Sequence, residues 1–402
     1  MRGRLPCGAA WLAVTVEEGL ISLRICIFAH HYHPQLSGIA NYVDALSHAL
    51  IARGNEVLIV TPDTQGVGCG FTREDGVEVL RLPCLSPMDG RLPIPLKNRL
   101  YHRLFGELSA RQWDGVFVNT RLFSHSLEGL KLAKNQDHKA IVLDHGSAYL
   151  SFGIKGLDWF VRRYEDAITR KVKAYKPDFY GVSAKSSEWL AHFGIASKGV
   201  LSNSIDAAAY RAKSSGRDFR SELGIAPEQP LVAFVGRLIP EKGISSLVEA
   251  SCSEALRERG VVFVLAGEGP LASEVEEASN DELRWIGRID APDVAALFLH
   301  ADIHCLPSRS EGFSTVLLEA SACGTPSVVT DVGGARELLP DDSCGLIIPS
   351  MTTPDVVKAI VRLCDEPGLL ARESYNCRKL VEQHYSWDTT AEALEAAIRS
   401  AV

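Results

Sequence analysis

Short apolar runs of strand length alternate with amphipathic helical patterns along most of the chain. The runs are almost continuously apolar, which is typical of strands buried on both faces of a parallel sheet. They cover residues 24–30, 56–62, 77–83, 115–119 and 140–144 in the first half, and residues 231–237, 261–269, 283–287, 302–307, 327–331 and 345–349 in the second. Residues 38–54, between the first two runs, have an amphipathic pattern that ends in a glycine, as helices commonly do. This alternation predicts an α/β fold built from doubly wound parallel sheets.

The apolar runs fall into two groups, which predict two Rossmann-like domains that meet near residue 200. We expect a first domain over residues 22–199, a second over residues 200–384, and an amphipathic helix over residues 385–402 that packs back across both. Residues 1–21 hold two arginines and a short apolar run without a good cleavage site, and we interpret them as a disordered or non-native extension. Ligands of such folds bind at the carboxyl ends of the strands, so the two domains should face each other across a ligand cleft.

Composition narrows the class of protein. The chain has 402 residues, of which 46% are hydrophobic and 23% charged, as in ordinary globular proteins. It has no apolar run of eighteen residues, which argues against a membrane-spanning helix. Its ten cysteines are scattered without a C-x-x-C pair, which argues against a zinc site and favours reduced thiols in the cytoplasm. The formal net charge of −8 argues against a nucleic-acid-binding protein.

The first half of the chain is mildly basic, although the whole chain is acidic. Two stretches in this half, residues 91–105 and 159–176, mix basic and apolar residues at roughly helical spacing. Such segments can press onto an anionic membrane, which would place the protein peripherally on the inner face of the plasma membrane. The alternative is a pair of ordinary surface helices whose Lys and Arg side chains cover apolar surface with their stems.

The stretch SEGFSTVLLEAS, residues 310–321, holds two glutamates eight positions apart, Glu311 and Glu319. Eight helical residues rise by about 12 Å, too far for a glycosidase-type carboxylate pair, which is roughly 5–9.5 Å apart. Two glutamates that serve one ligand at this spacing need a long ligand. Backbone N–H groups at a helix start between them would favour a phosphate in its middle. A nucleotide sugar meets this description, and an ordinary amphipathic helix with solvated glutamates is the alternative.

Three stretches together carry a family resemblance: FVGRLIPEKG at residues 234–243, LAGEGP at 265–270 and EGFSTVLLEASACGTPSVVTDVGG at 311–334. Their order and content resemble glycosyltransferase family 4, and the likeness covers nearly the whole chain after residue 22. The resemblance implies the GT-B fold, a nucleotide-sugar donor, transfer with retained anomeric configuration and a hexosyltransferase type of activity. The acceptor would be a glycan or a lipid-linked sugar, as in polysaccharide or glycolipid biosynthesis.

The resemblance assigns roles to the second half of the chain. Arg237 and Lys242 would hold the donor pyrophosphate and stabilise the negative charge that grows on it as the glycosidic bond breaks. Glu311 would bind hydroxyls of the donor sugar, Glu319 those of the ribose, and Arg288 would lie near the base. The whole set of donor-binding candidates comprises Gly38, Gly236, Arg288, Gly312, Phe313, Ser314, Thr315, Leu318 and Glu319.

Candidates in the first half follow apolar runs. Gly38 starts a helix and would allow close approach of a phosphate, with a plain helix-start glycine as the alternative. His145 follows the run 140–144, where the family often has a histidine near the donor sugar. A second run ends in three acceptor-side candidates, for which capping or solvated roles are the alternative: Asn119, Thr120 and Arg121. We interpret three nearby histidines as cleft-lining at most, because their spacing does not suit a metal: His30, His31 and His33.

No Asp-x-Asp motif occurs, so we expect neither a metal nor another cofactor, with Arg237 and Lys242 taking the place of a cation on the diphosphate.

Two rival functions share the fold: a nucleotide-sugar epimerase or hydrolase, and a non-catalytic nucleotide-sugar-binding module. A Rossmann oxidoreductase is poorly supported, because no G-x-G-x-x-G follows the first strand.

Overall fold

The computed structural model describes residues 22–35, 37–87, 92–150 and 155–401. Within these ranges the first domain is built on a seven-stranded sheet with the strand order β3-β4-β2-β1-β7-β8-β9. All neighbouring strands are parallel except β3, which pairs antiparallel with β4 at the edge. The strands are β1 Arg24–Ala29, β2 Glu56–Pro62, β3 Gly70–Glu74, β4 Val77–Leu82, β7 Gly115–Asn119, β8 Ile141–Asp144 and β9 Asp178–Gly181, and a separate ribbon pairs β5 Cys84–Leu85 with β6 Ile94–Pro95.

Helices cover both faces of this sheet. They are α1 Gly38–Ala52, α2 Arg99–Ser109, α3 Ser124–Asn135, α4 Lys155–Lys173 and α5 Ala184–Ala191. The central strands β1 and β7 are buried along almost their whole length, because helices on either side remove both faces from water. Apolar residues therefore occupy every position of these strands but their polar ends, as their continuous apolar runs predict.

The second domain repeats the design with six strands in the described residues, all parallel, in the order β12-β11-β10-β13-β14-β15. The strands are β10 Leu231–Val235, β11 Val262–Ala266, β12 Leu283–Trp285, β13 Ile303–Leu306, β14 Ser327–Thr330 and β15 Gly345–Ile348. The helices are α6 Ala207–Ala212, α7 Phe219–Leu223, α8 Ile244–Ser251, α9 Glu254–Arg257, α10 Ala272–Ala278, α11 Ala291–His300, α12 Thr315–Cys323, α13 Ala335–Leu338, α14 Thr353–Asp365, α15 Pro367–His384 and α16 Trp387–Ala401. The α/β fold with two parallel sheets is confirmed.

The connection between the domains leaves the first sheet at its last strand. Gly181 of β9 forms an isolated parallel bridge with Val200, and the chain then runs into α6. Ile205 donates a backbone hydrogen bond to the carbonyl of Tyr385, which lies just before α16. The linker and the start of α16 therefore lie side by side.

Helix α16 returns to the first domain and packs along α1 and against β7 and β8. Its Ile398 fills the space above Gly115, where a side-chain Cβ would come within 2.6 Å of Ile398. Glu395, whose side chain is 1% exposed, accepts hydrogen bonds from Arg53 at 2.9 Å and from Asn55 at 2.7 Å. The last helix is thus part of the first domain's core, although it follows the second domain in sequence.

No helix in the described part of the chain is long and apolar enough to cross a membrane.

Candidate active site

The carboxyl ends of both sheets face a cleft that contains two neighbouring cavities. One has a volume of about 350 Å³ and is lined by His145 from the first domain and by Lys242 and Glu311 from the second. The other, of about 280 Å³, is lined by Glu319 and by side chains of α1, the linker and α16. Gly38, Asn203 and Thr315 line both cavities, so the two volumes form one elongated site.

Lys242 and Glu311 form an ion pair in the first cavity, with Nζ and Oε1 2.5 Å apart. Lys242 ends a short 3₁₀ turn, Pro240–Lys242, that follows β10, and Glu311 lies on the loop after β13. Gly243 caps the turn in the left-handed conformation at φ +73°, and a Cβ there would lie 2.4 Å from the carbonyl oxygen of Pro307. Glycine at this position therefore lets the two loops approach closely enough for the pair to form.

Arg237 is exposed on the loop between β10 and the 3₁₀ turn. Among the described residues, none forms an ion pair or hydrogen bond with its guanidinium. The preceding Gly236 lies beneath Gly267, where a Cβ would come within 1.8 Å of the Gly236 carbonyl oxygen. Arg288, after β12, is also exposed, and neither arginine lines the two cavities described above. The structure thus brings Lys242 into the site and leaves both arginines on open loops of the second domain.

The turn before α12 lies at the centre of the site. A Cβ on Gly312 would lie 2.0 Å from the carbonyl oxygen of His145, so the two domains touch through backbone at this point. Phe313 is buried, and its carbonyl accepts a hydrogen bond from Asn203 Nδ2 at 3.3 Å. Ser314 caps α12, accepting from the backbone N–H of Leu317 at 3.4 Å. The first turn of α12 therefore opens between Glu311 and Glu319, with Thr315 exposed to both cavities.

Glu319 lies on α12 in the second cavity, together with Leu318. Burial raises the pKa of Glu319 to about 7, and the opposing effects of the Lys213 charge and the Tyr210 hydroxyl are smaller. The Tyr210 hydroxyl is buried beside Glu319 and interacts with its carboxyl group, although the two do not form a hydrogen bond of ordinary geometry. A polar ligand with hydroxyl groups would satisfy both side chains at once.

His145 lines the first cavity from the end of β8. Its Nε2 lies 2.5 Å from Oδ1 of Asn119, and its ring meets that of Tyr42 edge-on, with centroids 5.3 Å apart. Burial lowers the pKa of His145 to about 4, so the imidazole is neutral at physiological pH. Two residues further on, Ser147 donates a hydrogen bond across the cleft to the carbonyl of Glu311 at 2.6 Å.

The three acceptor-side candidates are held in the wall of the first domain. Asn119 is 1% exposed and contacts His145, and Thr120 is buried in the left-handed conformation at φ +79°. The guanidinium of Arg121, also 1% exposed, is paired with Asp144 at 2.9 Å and with Glu165 at 2.8 Å. The structure therefore does not present these side chains as a free surface for an acceptor.

Two of the three histidines after β1, His30 and His31, are in contact, with ring centroids 4.3 Å apart, and the third lies elsewhere. His30 is buried and stacks on Phe123 with ring centroids 3.8 Å apart, His31 lines the first cavity, and His33 lies 3.8 Å from Asp44. Within the described ranges, no group of three or more His, Cys, Asp or Glu residues could hold a metal ion.

Several residues of the site are invisible to motif analysis. The second cavity is also lined by residues from three segments that the chain brings together only on folding: Tyr42 on α1, Tyr210 and Lys213 on α6 and its C-terminal cap, and Trp387 on α16. Tyr42 and Trp387 meet edge-on, with ring centroids 5.3 Å apart. In the sequence these aromatic residues belong only to amphipathic helical patterns, in which an aromatic residue is normally interpreted as part of the core.

Comparison with solved structures defines the class of fold. The chain is similar to sucrose-phosphate synthase of Thermosynechococcus elongatus, with a TM-score of 0.74 at 20% identity over 94% of this chain and 98% of that one. It is also similar to HepE of Anabaena in complex with UDP, with a TM-score of 0.68 at 18% identity over 94% and 100%. At these identities the likeness concerns the fold alone, which is that of the GT-B glycosyltransferases, two Rossmann-like domains facing a cleft.

Family models match most of the chain in two consecutive blocks. The model for "Glycosyltransferase Family 4" matches residues 36–208, and that for "Glycosyl transferases group 1" matches residues 216–380. The chain belongs to glycosyltransferase family 4 and is a GT-B glycosyltransferase.

The chain aligns with related proteins over nearly their whole length in some cases and over about half of it in others. The chain is 29% identical to an uncharacterised glycosyltransferase of Methanocaldococcus jannaschii over 92% of this chain and 96% of that protein. It is 27% identical to a D-inositol 3-phosphate glycosyltransferase of an Arthrobacter species over 91% and 90%. The match to an alpha-D-kanosaminyltransferase of Streptomyces kanamyceticus, at 29% identity, covers 45% of this chain and spans about half, 48%, of that relative.

Proposed function

We propose that the protein is a retaining hexosyltransferase that moves a sugar from a nucleoside-diphosphate sugar to a hydroxyl of a glycan or glycolipid acceptor, without a metal. One observation carries this proposal. The N-terminus of α12 lies between two cavities. One is lined by Lys242 and Glu311, and the other is lined by Glu319. A cation and a carboxylate at one end, backbone N–H groups in the middle and a second carboxylate at the other end suit the three parts of a nucleotide sugar.

The donor would lie along α12 with its ribose at Glu319 and its sugar at Glu311. A carboxylate accepts hydrogen bonds from two neighbouring hydroxyls, which both ribose and a hexose offer. Tyr210, whose buried hydroxyl lies beside Glu319, would complete the ribose site. The structure of HepE of Anabaena was solved with UDP, which makes uridine the first base to test, with guanosine next.

Lys242 and Arg237 would assist departure of the diphosphate. Lys242 already lies in the cavity, paired with Glu311, and Arg237 stands on the same loop with its charge unpaired among the described residues. Two cations stabilise the charge that develops on the leaving phosphate. The incoming hydroxyl would attack on the face that the diphosphate leaves, which accounts for retention without an enzyme nucleophile. A trapped glycosyl-enzyme on any carboxylate would contradict this step.

We further propose that the first domain works at the cytoplasmic face of an anionic membrane and that α4 makes the contact. Trp159 and Phe160, at the start of α4, are 57% and 66% exposed, and Arg162 and Arg163 follow on the next turn. The other basic and apolar stretch differs, because α2 buries Tyr101, Leu104 and Leu108 in the core, although Ile94 and Leu96 before it are exposed. An exposed apolar pair beside arginines on a helix suits the boundary between headgroups and acyl chains.

Calorimetric binding of UDP, GDP and ADP tests the donor site. We expect one of the three nucleotides to bind the wild-type protein selectively. Glu319→Ala should weaken that binding about 10- to 100-fold, because hydrogen bonds to a charged group are worth about 1.5–3 kcal/mol. Glu277→Ala, which removes an exposed glutamate on α10, is the matched control and should bind like the wild type.

Two results would contradict the proposal. Binding of none of the three nucleotides, or equal binding by wild type and Glu319→Ala, would remove the donor site and favour a binding module for another ligand. Conversion of a nucleotide sugar at the same rate with and without any acceptor would favour an epimerase or hydrolase over a transferase.

A further inference from the structure

The pair Asn119 and His145 lies at the carboxyl edge of the first sheet. Asn119 is the last residue of β7, and His145 directly follows β8. The two strands are parallel neighbours in which Asn119 pairs with Leu143. Their side chains therefore meet where the sheet borders the first cavity.

The contact between the two side chains determines which ring nitrogen carries the proton. Oδ1 of Asn119 is 2.5 Å from Nε2 of His145. In the orientation that the structure gives the Asn119 amide, the oxygen faces the ring, and Nδ2 is buried without a partner among the described residues. An amide oxygen only accepts hydrogen bonds, so in this orientation Nε2 is the protonated nitrogen of the ring. In a neutral imidazole the other nitrogen, Nδ1, then carries the lone pair.

The remaining nitrogen of the ring is available to a ligand. Nδ1 of His145 forms no hydrogen bond with the described residues, and it is not among the buried side-chain atoms without a partner. His145 lines the same cavity as Lys242 and Glu311. An acceptor atom therefore borders the volume in which the transferred sugar would lie.

Asn119 has little freedom to turn away. Its side chain is 1% exposed, and the next residue, Thr120, is fixed by a hydrogen bond from its N–H to the carbonyl of Leu143 at 2.8 Å. Ser126 Oγ donates to the Thr120 carbonyl at 2.7 Å. Beyond it, Arg121 bridges to Asp144, the residue that precedes His145, at 2.9 Å. Both partners of the contact are thus anchored to the same buried framework.

We propose that Asn119 is a positioning residue that holds His145 with Nε2 protonated, so that Nδ1 accepts a hydrogen bond from a sugar hydroxyl in the cavity. The second part rests on the proposed glycosyl transfer, whereas the state of the imidazole does not. Asn119 itself touches no substrate in this scheme. Its role is to make the tautomer with a protonated Nε2 the populated form of the imidazole.

Charged and titratable groups surround the imidazole from each neighbouring element. His30 and His31 follow β1, Tyr42 lies on α1, and Lys242 and Glu311 face the ring from the second domain. Asp144, on its own strand, is paired with Arg121. Of these groups, the amide of Asn119 is the one that forms a hydrogen bond with the ring. A substitution at Asn119 should therefore change the protonation of the imidazole more than a substitution at any of the other groups named here.

Nitrogen-15 NMR of the full-length protein labelled at histidine tests the tautomer directly. The signals of His145 are identified by their loss in His145→Gln. We expect wild-type His145 to show a protonated Nε2 and an unprotonated Nδ1 near neutral pH. Asn119→Asp should raise the pKa of His145 by about 1–3, because an adjacent carboxylate favours the charged imidazole. Asn98→Asp makes the same chemical change at the exposed cap of α2 and should leave the His145 signals unchanged.

Kinetics form the second arm and follow the release of the nucleoside diphosphate from the glucose conjugate of whichever nucleotide binds in the calorimetry. Since the wild-type pKa of His145 is about 4, the pKa in Asn119→Asp should lie at about 5–7. One pH unit below that value kcat/KM should fall about tenfold relative to the wild type, and activity should recover as the pH rises and the imidazole loses its extra proton. Its affinity for the nucleotide alone should stay within about twofold of the wild type.

A protonated Nδ1 in the wild type, or a His145 titration that Asn119→Asp leaves unmoved, would overturn the proposal even if no sugar were ever turned over. An activity loss in Asn119→Asp that is equal at every pH would overturn it too, because a merely structural role predicts that result.

Discussion

Glu311 and Glu319 are chemically identical side chains placed in different surroundings. Glu311 faces the ammonium group of Lys242 at 2.5 Å and lies in the more open cavity. Glu319 forms no ion pair with the described residues, and burial raises its pKa to about 7 against the weaker opposing effect of the Lys213 charge. The end of the site that holds Glu319 should therefore depend on pH near neutrality.

Nucleotide affinity should fall as the pH drops below about 7. A ribose diol donates hydrogen bonds, and only the ionised carboxylate of Glu319 can accept two of them. Since its folded pKa is about 7, Glu319 is ionised above that pH and protonated below it, and affinity should weaken towards tenfold per pH unit in the acid range. Calorimetry at pH 6, 7 and 8 in buffers of different ionisation enthalpy measures both the affinity and the proton released.

Glu319→Gln is the control for this pH dependence, because it keeps the shape of the side chain and removes its titration. Any slope that remains in Glu319→Gln comes from the phosphates of the nucleotide or from other groups. Identical slopes in the wild type and in Glu319→Gln would show that Glu319 does not ionise on binding.

The sequence predicts that a residue lies in the site where a motif contains it. It does not predict the role of a residue that depends on burial. Lys242 and Glu311 came from their motif, and the structure brings them together in one cavity. Arg121 looked like a cleft residue at the end of a strand, yet it is 1% exposed and paired with two carboxylates. The partners of a strand-end arginine lie on other strands and helices, so no local pattern reveals them.

At the scale of elements, α2 and α4 show how similar patterns diverge. Both mix basic and apolar residues at helical spacing. The apolar side of α2 is buried through Tyr101, Leu104 and Leu108, whereas α4 begins with the exposed pair Trp159 and Phe160. The sequence predicts an amphipathic helix in each case. Tertiary packing then determines which of the apolar residues are buried.

The exposed start of α4 should govern binding to anionic vesicles. Full burial of one large apolar side chain is worth about 1.5–3 kcal/mol, so Trp159→Ser combined with Phe160→Ser should weaken membrane binding at least about tenfold. Co-sedimentation with vesicles of phosphatidylcholine, with and without phosphatidylserine, measures this. Tyr375→Ser, which removes a 57% exposed aromatic residue from α15 of the second domain, is the matched control.

Equal sedimentation of the wild type and the double variant on anionic vesicles would exclude α4 as the contact. Binding that is the same with and without phosphatidylserine would remove the role of the arginines beside the aromatic pair.

Strands were more predictable than helices, for a physical reason. The eleven apolar runs all correspond to strands of the two parallel sheets, because strands buried on both faces need apolar residues throughout. The strands that the pattern misses are edge or very short ones. β3 is a half-exposed antiparallel edge strand with the sequence GFTRE, and β9 has four residues of alternating burial. An edge strand is wetted on one side, so its composition resembles that of a loop.

On the scale of the whole molecule, contacts across the cleft rim join the two domains. Ser147 reaches the carbonyl of Glu311, Lys185 pairs with Asp331, and the N–H of Ala184 donates to Glu337 at 2.7 Å. Helix α16 adds a second connection on the side of α1. The second cavity depends on both, since α1, the linker, α12 and Trp387 all contribute to its wall. Sequence reasoning identified the two domains but not this shared wall, which exists only once they are docked.

Glu395 should contribute to stability through the contact of α16 with the first domain. Burial alone would raise the pKa of Glu395, but hydrogen bonds from Arg53 and Asn55, with the charges of Arg53 and Arg399, lower it overall. A lowered folded pKa gives stability that is present above the ordinary pKa of about 4.3 and is lost as the pH falls through the folded value. Glu395→Gln should therefore cost about 2 kcal/mol at neutral pH.

Thermal unfolding at several pH values checks this prediction. The melting temperature of Glu395→Gln should lie below that of the wild type at pH 7, and the gap should close in acid. Glu392→Gln, an exposed position on the same helix, is the control and should unfold like the wild type. A gap that stays constant down to acid pH would show that the charge of Glu395 is not what stabilises the contact.

The return of α16 has a consequence for how the chain is made. Ile398 covers Gly115, and Glu395 caps Arg53 and Asn55, so the first domain is finished by residues that leave the ribosome after the entire second domain. At roughly 5–20 residues per second, the growing first domain waits on the order of tens of seconds with its α1 and β7 surfaces uncovered. During that interval the nascent chain offers an apolar face to chaperones, and a fragment that stops after the first sheet would carry the same exposed face permanently.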